Sequence, residues 1–301
     1  MRLGIDLGGT KIEIIAIDDI GQECYRRRIA TPQGNYVKTL EEICCLVTDA
    51  ENELATRATL GIGIPGALSM QTGLVKNANS VCLIGQPLKT DLETRLAREV
   101  RINNDANCLT VSEATDGAAA DAEVVFGVII GTGTGGGIAV HKRVISGCNM
   151  IAGEWGHNAL PWPSIEDQPR VDCYCGRQDC IETYLSGPGL INRHHLSGGE
   201  AQSVPELVEL ASSGNELAEL SLKCYEQQMA KALASVINIL DPDKIVLAGG
   251  LSNIRRLYQN VPKLWMEYVF SDAITTQLVP AKYGDSSGVR GAAWLWPITS
   301  W

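Results

Sequence analysis

The chain has 301 residues, enough for one large or two medium domains with a real core. Apolar residues make up 45% and charged residues 20%, which excludes a disordered or fibrous chain, and no run approaches the roughly 18 uncharged apolar residues of a membrane span. The net charge of -10 argues against a nucleic-acid surface, which needs clustered Lys and Arg, but not against a phosphate ligand held by backbone amides and Mg²⁺.

In chain order, Arg2 to Leu7 alternates, Gly8-Gly9-Thr10 turns, and Lys11 to Ile17 alternates again, which predicts a β-hairpin. Asp6 arrives before any apolar leader has formed, so cytoplasm is expected and the ten cysteines read as reduced thiols. A helix is predicted with Leu40, Ile43, Cys44, Val47, Ala50 and Leu54 on one face and a capping box at Thr39 and Glu42. Leu60 to Ile64 reads as a buried strand stopped by Pro65-Gly66. Thr90 and Glu93 open another helix, Val100 to Ile102 is a strand, and Asn103 to Asn107 leads into a further helix. The second half repeats this grammar. Val124 to Ile130 is a strand, Gly131 to Gly137 a glycine loop, and Ile138 to Val140 a return strand. An irregular His/Cys segment, 157–180, precedes a long helix from about Glu216 to Leu240, then a strand from Lys244 to Ala248, and Gly249-Gly250 before another helix. The repetition suggests an internal duplication, α/β with two lobes: residues 1–118, with a C-terminal helix 287–301 packed back on them, and residues 119–286. The cleft between lobes is the expected site.

Gly131-x-Gly133-x-x-Gly136 satisfies a dinucleotide-binding expression, but a strand follows it where that reading needs a helix. Gly8-Gly9-Thr10-Lys11 lacks the spacing of a P-loop. Each suits a hairpin tip whose amides approach phosphate oxygens, and each is equally an ordinary turn. Asp105 stands where a strand meets a helix and reads either as a helix cap or as an ionised base for a substrate hydroxyl. His157 with Cys173, Cys175 and Cys180 is a Cys₃His set, a closed structural zinc site, whereas Cys24, Cys44, Cys45, Cys82, Cys108, Cys148 and Cys224 read as reduced, buried packing residues. Glu154 and Glu182 flank the cluster and suit sugar hydroxyls; His194 and His195 read as exposed.

The ensemble resembles the ROK family of the actin-like sugar kinase superfamily. The matching runs are Ile5 to Lys11, Asn103 to Asn107, Gly131 to Gly137, Gly153 to His157, Cys173 to Glu182 and Leu247 to Gly250. Lys76 to Ser80, Gly156 to Trp162 and Gly284 to Gly291 look most like the bacterial fructokinases, or manno(fructo)kinases, of that family. The resemblance implies an actin-like ATPase (ribonuclease H-like) duplicated fold and transfer of the ATP γ-phosphoryl to the 6-hydroxyl of fructose, with mannose as a second acceptor. The alternatives are an N-acetylglucosamine or N-acetylmannosamine kinase, a glucokinase, or an inactive sugar sensor. It implies Asp105 as base; Gly66, Asn79, Asn104, Glu154, His157 and Glu182 around the sugar; and Gly8, Gly9, Thr10, Lys11, Gly131, Thr132 and Gly133 around phosphates. Gly249 and Gly250 would border the adenosine, Asp6 would act near Mg²⁺, and His157 would serve both zinc and sugar. A homodimer without nucleic-acid or membrane partners is expected. The family's repressors carry an added helix-turn-helix segment, and the start of this chain at the first strand disfavours that reading. Asp179 stands where the family has Gly, a position that Asp tolerates in left-handed geometry.

Overall fold

The computed structural model describes residues 1–78 and 80–296; Asn79 and the end of the expected helix 287–301 lie outside the described residues. β1 (Arg2–Leu7) and β2 (Lys11–Ile17) form the predicted hairpin, from Arg2 opposite Ile17 to Leu7 opposite Ile12. β3 (Glu23–Ala30) extends it antiparallel and is absent from the sequence reading. This edge strand carries Arg26-Arg27-Arg28, and only Tyr25 is buried, so no apolar alternation marks it.

α1 (Tyr36–Leu54) begins three residues before the predicted cap. Asn35 accepts the Lys38 N–H at 3.0 Å, while Thr39 lies buried inside the helix with its hydroxyl on the Asn35 carbonyl at 2.9 Å. The buried face is the predicted one, with Leu40, Ile43, Val47 and Ala50. β4 (Thr59–Ile64) is followed by the short pair β5 (Ala67–Leu68) and β6 (Val75–Lys76). α2 (Leu88–Leu96) starts two residues before Thr90, with Pro87 at the cap position. β7 (Val100–Asn104) then runs directly into α3 (Asp105–Thr115).

The second half holds β8 (Val124–Ile130), β9 (Thr134–Val140), β10 (Arg143–Val144), α4 (Glu182–Leu185), α5 (Gly187–Leu196), α6 (Val204–Ser212), α7 (Glu216–Leu240), β11 (Lys244–Ala248), α8 (Leu257–Leu264), β12 (Gln277–Pro280) and α9 (Ser287–Trp294). The glycine loop is shorter than its composition suggests: Thr134 to Gly137 already belong to β9. Gly136 and Gly137 serve close packing there, since a Cβ would meet the Trp155 ring at 2.7 Å or the Ala106 carbonyl at 2.7 Å.

The two five-stranded sheets have the orders β3-β2-β1-β4-β7 and β10-β9-β8-β11-β12. In both, the hairpin edge is antiparallel and the last two pairings are parallel. The same order and sense in each half is the duplicated α/β architecture of actin-like ATPases. The chain divides into two compact units, one of Met1–Asp121, Gly137–Ala152 and the described part of Asp285–Trp301, the other of Ala122–Gly136 and Gly153–Gly284. The first unit thus takes in residues 119–121 and 137–152.

Within the first unit, α1 contributes its apolar face to a core with Leu3, Ile5, Ile12, Ile14, Leu60 and Ile62. α9 packs on β1, β4 and α3 backbone to backbone: a Cβ on Gly61 would lie 1.8 Å from the Ala292 carbonyl oxygen, and one on Gly291 1.6 Å from that of Cys108. Among the described residues no helix is long and apolar enough to cross a membrane.

Candidate active site

In the first unit, sheet register aligns the ends of three strands. Asp6 of β1 lies beside Gly63 of β4, and Gly63 beside Asn103 of β7. These are the carboxyl ends of parallel strands, where open α/β sheets present ligand sites. The start of α3 decides the role of Asp105. Asn104, not Asp105, is the cap, its side-chain oxygen accepting the Asn107 N–H at 2.8 Å. Asn103 steadies this turn by accepting from the Asn107 amide at 2.8 Å, and its own amide donates to the Ser146 hydroxyl at 3.3 Å. Asp105 is therefore the first helical residue, exposed, with one oxygen on the Ala106 N–H at 2.8 Å.

Burial, then the charge of Asp105 beside it, pushes the Asp6 carboxyl from 3.8 up to about 6, against the opposing pull of Lys11 and Arg28. Behind them the buried Cys108 thiol is held well above its ordinary value by burial, then by Asp6 and Asp105. Among the seven cysteines outside the His/Cys segment only Cys108 is buried; Cys24, Cys45 and Cys148 are exposed, which corrects the packing expectation.

The first hairpin tip is braced from a distance. The Gly8 N–H donates to the Lys11 carbonyl at 2.9 Å, the Thr31 N–H to the Thr10 carbonyl at 3.0 Å, and the Thr31 hydroxyl to the Gly8 carbonyl at 2.8 Å. The N–H groups of Gly9 and Thr10 donate to no described residue, leaving two consecutive amides for an anion. Lys11 lies 3.9 Å from the fully buried Glu13, which Arg26 and Arg28 also hold at 2.7 Å each. No sequence pattern announces Thr31 or Arg28; each arrives through β3. Gly66 has φ +111, and a Cβ there would lie 2.6 Å from the Lys76 carbonyl oxygen, so its role is first a steric one.

In the second unit the turn Gly131–Gly133 is closed by the Gly131 N–H on the Gly133 carbonyl at 3.0 Å, and the Gly187 N–H holds the Gly131 carbonyl at 2.8 Å. Thr132 and Gly133 present amides that donate to no described residue. Gly249, at φ +86, has no room for a side chain, since a Cβ would fall 2.4 Å from the Ile130 carbonyl oxygen; Gly250 opens the short 3₁₀ turn after β11. Glu182 reaches the glycine turn, its Oε2 accepting the Thr134 N–H at 2.8 Å. Glu154 is exposed at the start of a 3₁₀ turn, Trp155–His157, pinned by the Trp155 indole on the Gly135 carbonyl at 3.1 Å.

The ligand atoms of His157, Cys173, Cys175 and Cys180 all lie within 4.8 Å of one another. Cys173 Sγ stands 3.6 Å from His157 Nδ1, and Cys175 Sγ 3.6 Å from Cys180 Sγ. The sulfurs are too far apart for a disulfide bond of about 2.05 Å. They match the edges of a tetrahedron around zinc, about 3.6 Å for N to S and about 3.8 Å for S to S at ordinary Zn–N and Zn–S lengths. The residues thus fit a closed zinc site. Asp179 adopts φ +58, left-handed as anticipated, with Oδ1 accepting from the Val171 N–H and the Tyr184 hydroxyl, each at 3.1 Å. His157 Nε2 meets the Tyr174 hydroxyl at 2.9 Å, a partner the sequence reading did not name. Burial, then Glu182, Cys173 and Glu154, pushes that hydroxyl's pKa up. His194 is buried against the Ser221 hydroxyl at 2.8 Å, not exposed, because α5 turns it inward.

The ROK family model matches residues 2–298, and the chain belongs to the ROK family. It is 38% identical over 299 residues to an N-acetyl-D-glucosamine kinase of Yersinia pseudotuberculosis, covering 98% of each chain. Against the N-acetyl-D-glucosamine kinase of Pasteurella multocida it is 39% identical over 300 residues, covering 98% of this chain and 99% of the relative. Among solved structures, the ROK hexokinase of Thermus thermophilus superposes with a TM-score of 0.86 at 27% identity, covering 98% of this chain and 97% of that one. A ROK glucokinase of Streptomyces griseus, in complex with glucose and AMPPNP, superposes at 0.75 and 25% identity, with 98% of both chains covered. The two full-length relatives from Yersinia and Pasteurella are named for N-acetyl-D-glucosamine and not for fructose, which corrects the fructokinase resemblance.

Proposed function

We propose that this chain is an ATP-dependent kinase that phosphorylates the 6-hydroxyl of N-acetylglucosamine. The observation that carries the reading is the division of labour at the start of α3: Asn104 caps the helix, so Asp105 presents an exposed carboxylate at a strand end. Full-length similarity to N-acetyl-D-glucosamine kinases supports the choice of acceptor.

Asp105 accepts the proton of the sugar hydroxyl. Phosphoryl transfer through a loose transition state asks mainly for alignment, so the proton moves late and a weak base suffices. The paired outward amides at Gly9-Thr10 and Thr132-Gly133 suit phosphate oxygens, while Gly249 leaves the backbone open beside the adenosine. Asn104, Glu154 and Glu182 offer acceptors and donors to the remaining hydroxyls. The Asp6 carboxylate would hold Mg²⁺, which when bound neutralises phosphate charge. Zinc in the Cys₃His set would tie the segment that carries Glu182.

The test is ADP release with ATP and Mg²⁺ against N-acetylglucosamine, N-acetylmannosamine, glucose, mannose and fructose. N-acetylglucosamine is expected to give the highest kcat/KM. Preference for fructose or glucose would overturn the acceptor, and no sugar-dependent turnover would overturn the kinase.

A further inference from the structure

Among the described residues, the carboxylate that touches the glycine turn in the second unit is that of Glu182, a residue proposed above for the sugar. Glu182 Oε2 accepts the Thr134 N–H at 2.8 Å, and a Cβ on Gly133 would lie only 2.7 Å from the same oxygen. The carboxylate therefore fills the space that any side chain at 133 would need. Glu182 is itself fixed at both ends. The Ile181 N–H donates to the Asn158 carbonyl at 2.8 Å, and the Thr183 N–H donates at 2.8 Å to the carbonyl of Cys180, itself a member of the Cys₃His set. A second tether comes from the same stretch of chain, the Gly187 N–H on the Gly131 carbonyl at 2.8 Å. One end of the turn thus hangs on a backbone amide and the other on a side chain.

We infer that Glu182 is a positioning residue for the nucleotide: its hydrogen bond to Thr134 sets the conformation in which Thr132 and Gly133 present their amides to phosphate. This rests on the reading of the turn as a phosphate site. The bond is charge-assisted, of the stronger class of protein hydrogen bonds. Losing it frees the β9 end of the turn and disperses two donors that act only if they converge. The metal-tied segment and the nucleotide turn are then one mechanical unit, joined through Glu182.

The experiment measures binding of AMPPNP with Mg²⁺ by calorimetry, without sugar, in the full chain and in Glu182→Ala, Glu182→Gln and Glu182→Asp, with zinc content measured in each. Glu182→Ala is expected to weaken nucleotide binding about tenfold. Glu182→Gln, whose amide oxygen can still accept the Thr134 N–H, recovers most of that loss although its charge is gone. Glu182→Asp, one methylene short, behaves like Ala and serves if the Ala variant does not fold. Zinc content stays at the wild-type value throughout. Unchanged nucleotide affinity in Ala and Asp, with only the sugar KM raised, would overturn the inference and leave the kinase reading standing. Failure of the wild-type chain to bind AMPPNP would overturn both.

Discussion

Replacing Asp6 by Asn tests the electrostatics of the first unit, because it removes a charge without changing shape. In the folded chain the Asp6 carboxyl is raised from 3.8 to about 6 by burial and by Asp105. The native state therefore holds its proton more tightly than the unfolded chain does. Below pH 3.8 both states are protonated and the favourable contribution is fully present; it is lost as pH rises, and is gone above about pH 6. At about 1.4 kcal/mol per pH unit, the interval amounts to about 3 kcal/mol of destabilisation from ionised Asp6 near neutrality. Asp6→Asn should then stabilise the ligand-free protein at pH 7.5 by up to about 3 kcal/mol, or about 5 °C in Tm for a chain of this size. It should do almost nothing at pH 4. Urea unfolding of both proteins at the two pH values measures the difference, and common titrations cancel between them. Equal or lower stability of the variant at pH 7.5 would refute the reasoning. The same substitution removes the carboxylate proposed for Mg²⁺, so turnover should fall while stability rises.

Asp105→Asn should keep the fold, since Asn104 does the capping, and lower kcat by at least about a hundredfold, on the scale of a lost general base; circular dichroism and steady-state kinetics check the two halves. Cys173→Ser should abolish stoichiometric zinc, seen by elemental analysis, and speed proteolysis within 157–182; unchanged metal content would sink the zinc assignment. Gly291→Ala places a Cβ 1.6 Å from the Cys108 carbonyl oxygen, where no side-chain rotation relieves it. α9 must shift, and the expected loss is about 1–3 kcal/mol in urea unfolding, the usual cost of overpacking.

Much of this protein is local. The hairpin β1-β2, the 25-residue α7 and the strand β11 follow from apolar periodicity and from turn residues at their ends. The duplication shows in the recurrence of hairpin, glycine turn and strand. The Cys₃His set is visible because ligand chemistry is carried by residue type and spacing. The strands and starts that escaped are those where a partner, not a pattern, sets the outcome. β3 exists because Glu13 pairs with Arg26 and Arg28 across the sheet, and α1 starts at Asn35 because that side chain reaches the Lys38 N–H.

The candidate site divides in the same way. Composition and motif alone mark Asp105, Glu154, Glu182 and both glycine tips, because short-range chemistry needs those residue types. Whether Asp105 caps its helix or leaves that to Asn104 depends on one backbone turn, in which the Asn104 side chain takes the Asn107 N–H. Register alone brings Gly63 between Asp6 and Asn103. The motifs quoted from the sequence do not separate one hexose from another, and the proposed choice of acceptor draws on full-length similarity. Contacts such as Glu182 to Thr134 or Thr31 to Gly8 join residues 48 and 23 positions apart. A linear pattern has no period for them; only the folded chain, by exchanging conformational entropy for packing and buried hydrogen bonds, brings them to contact distance.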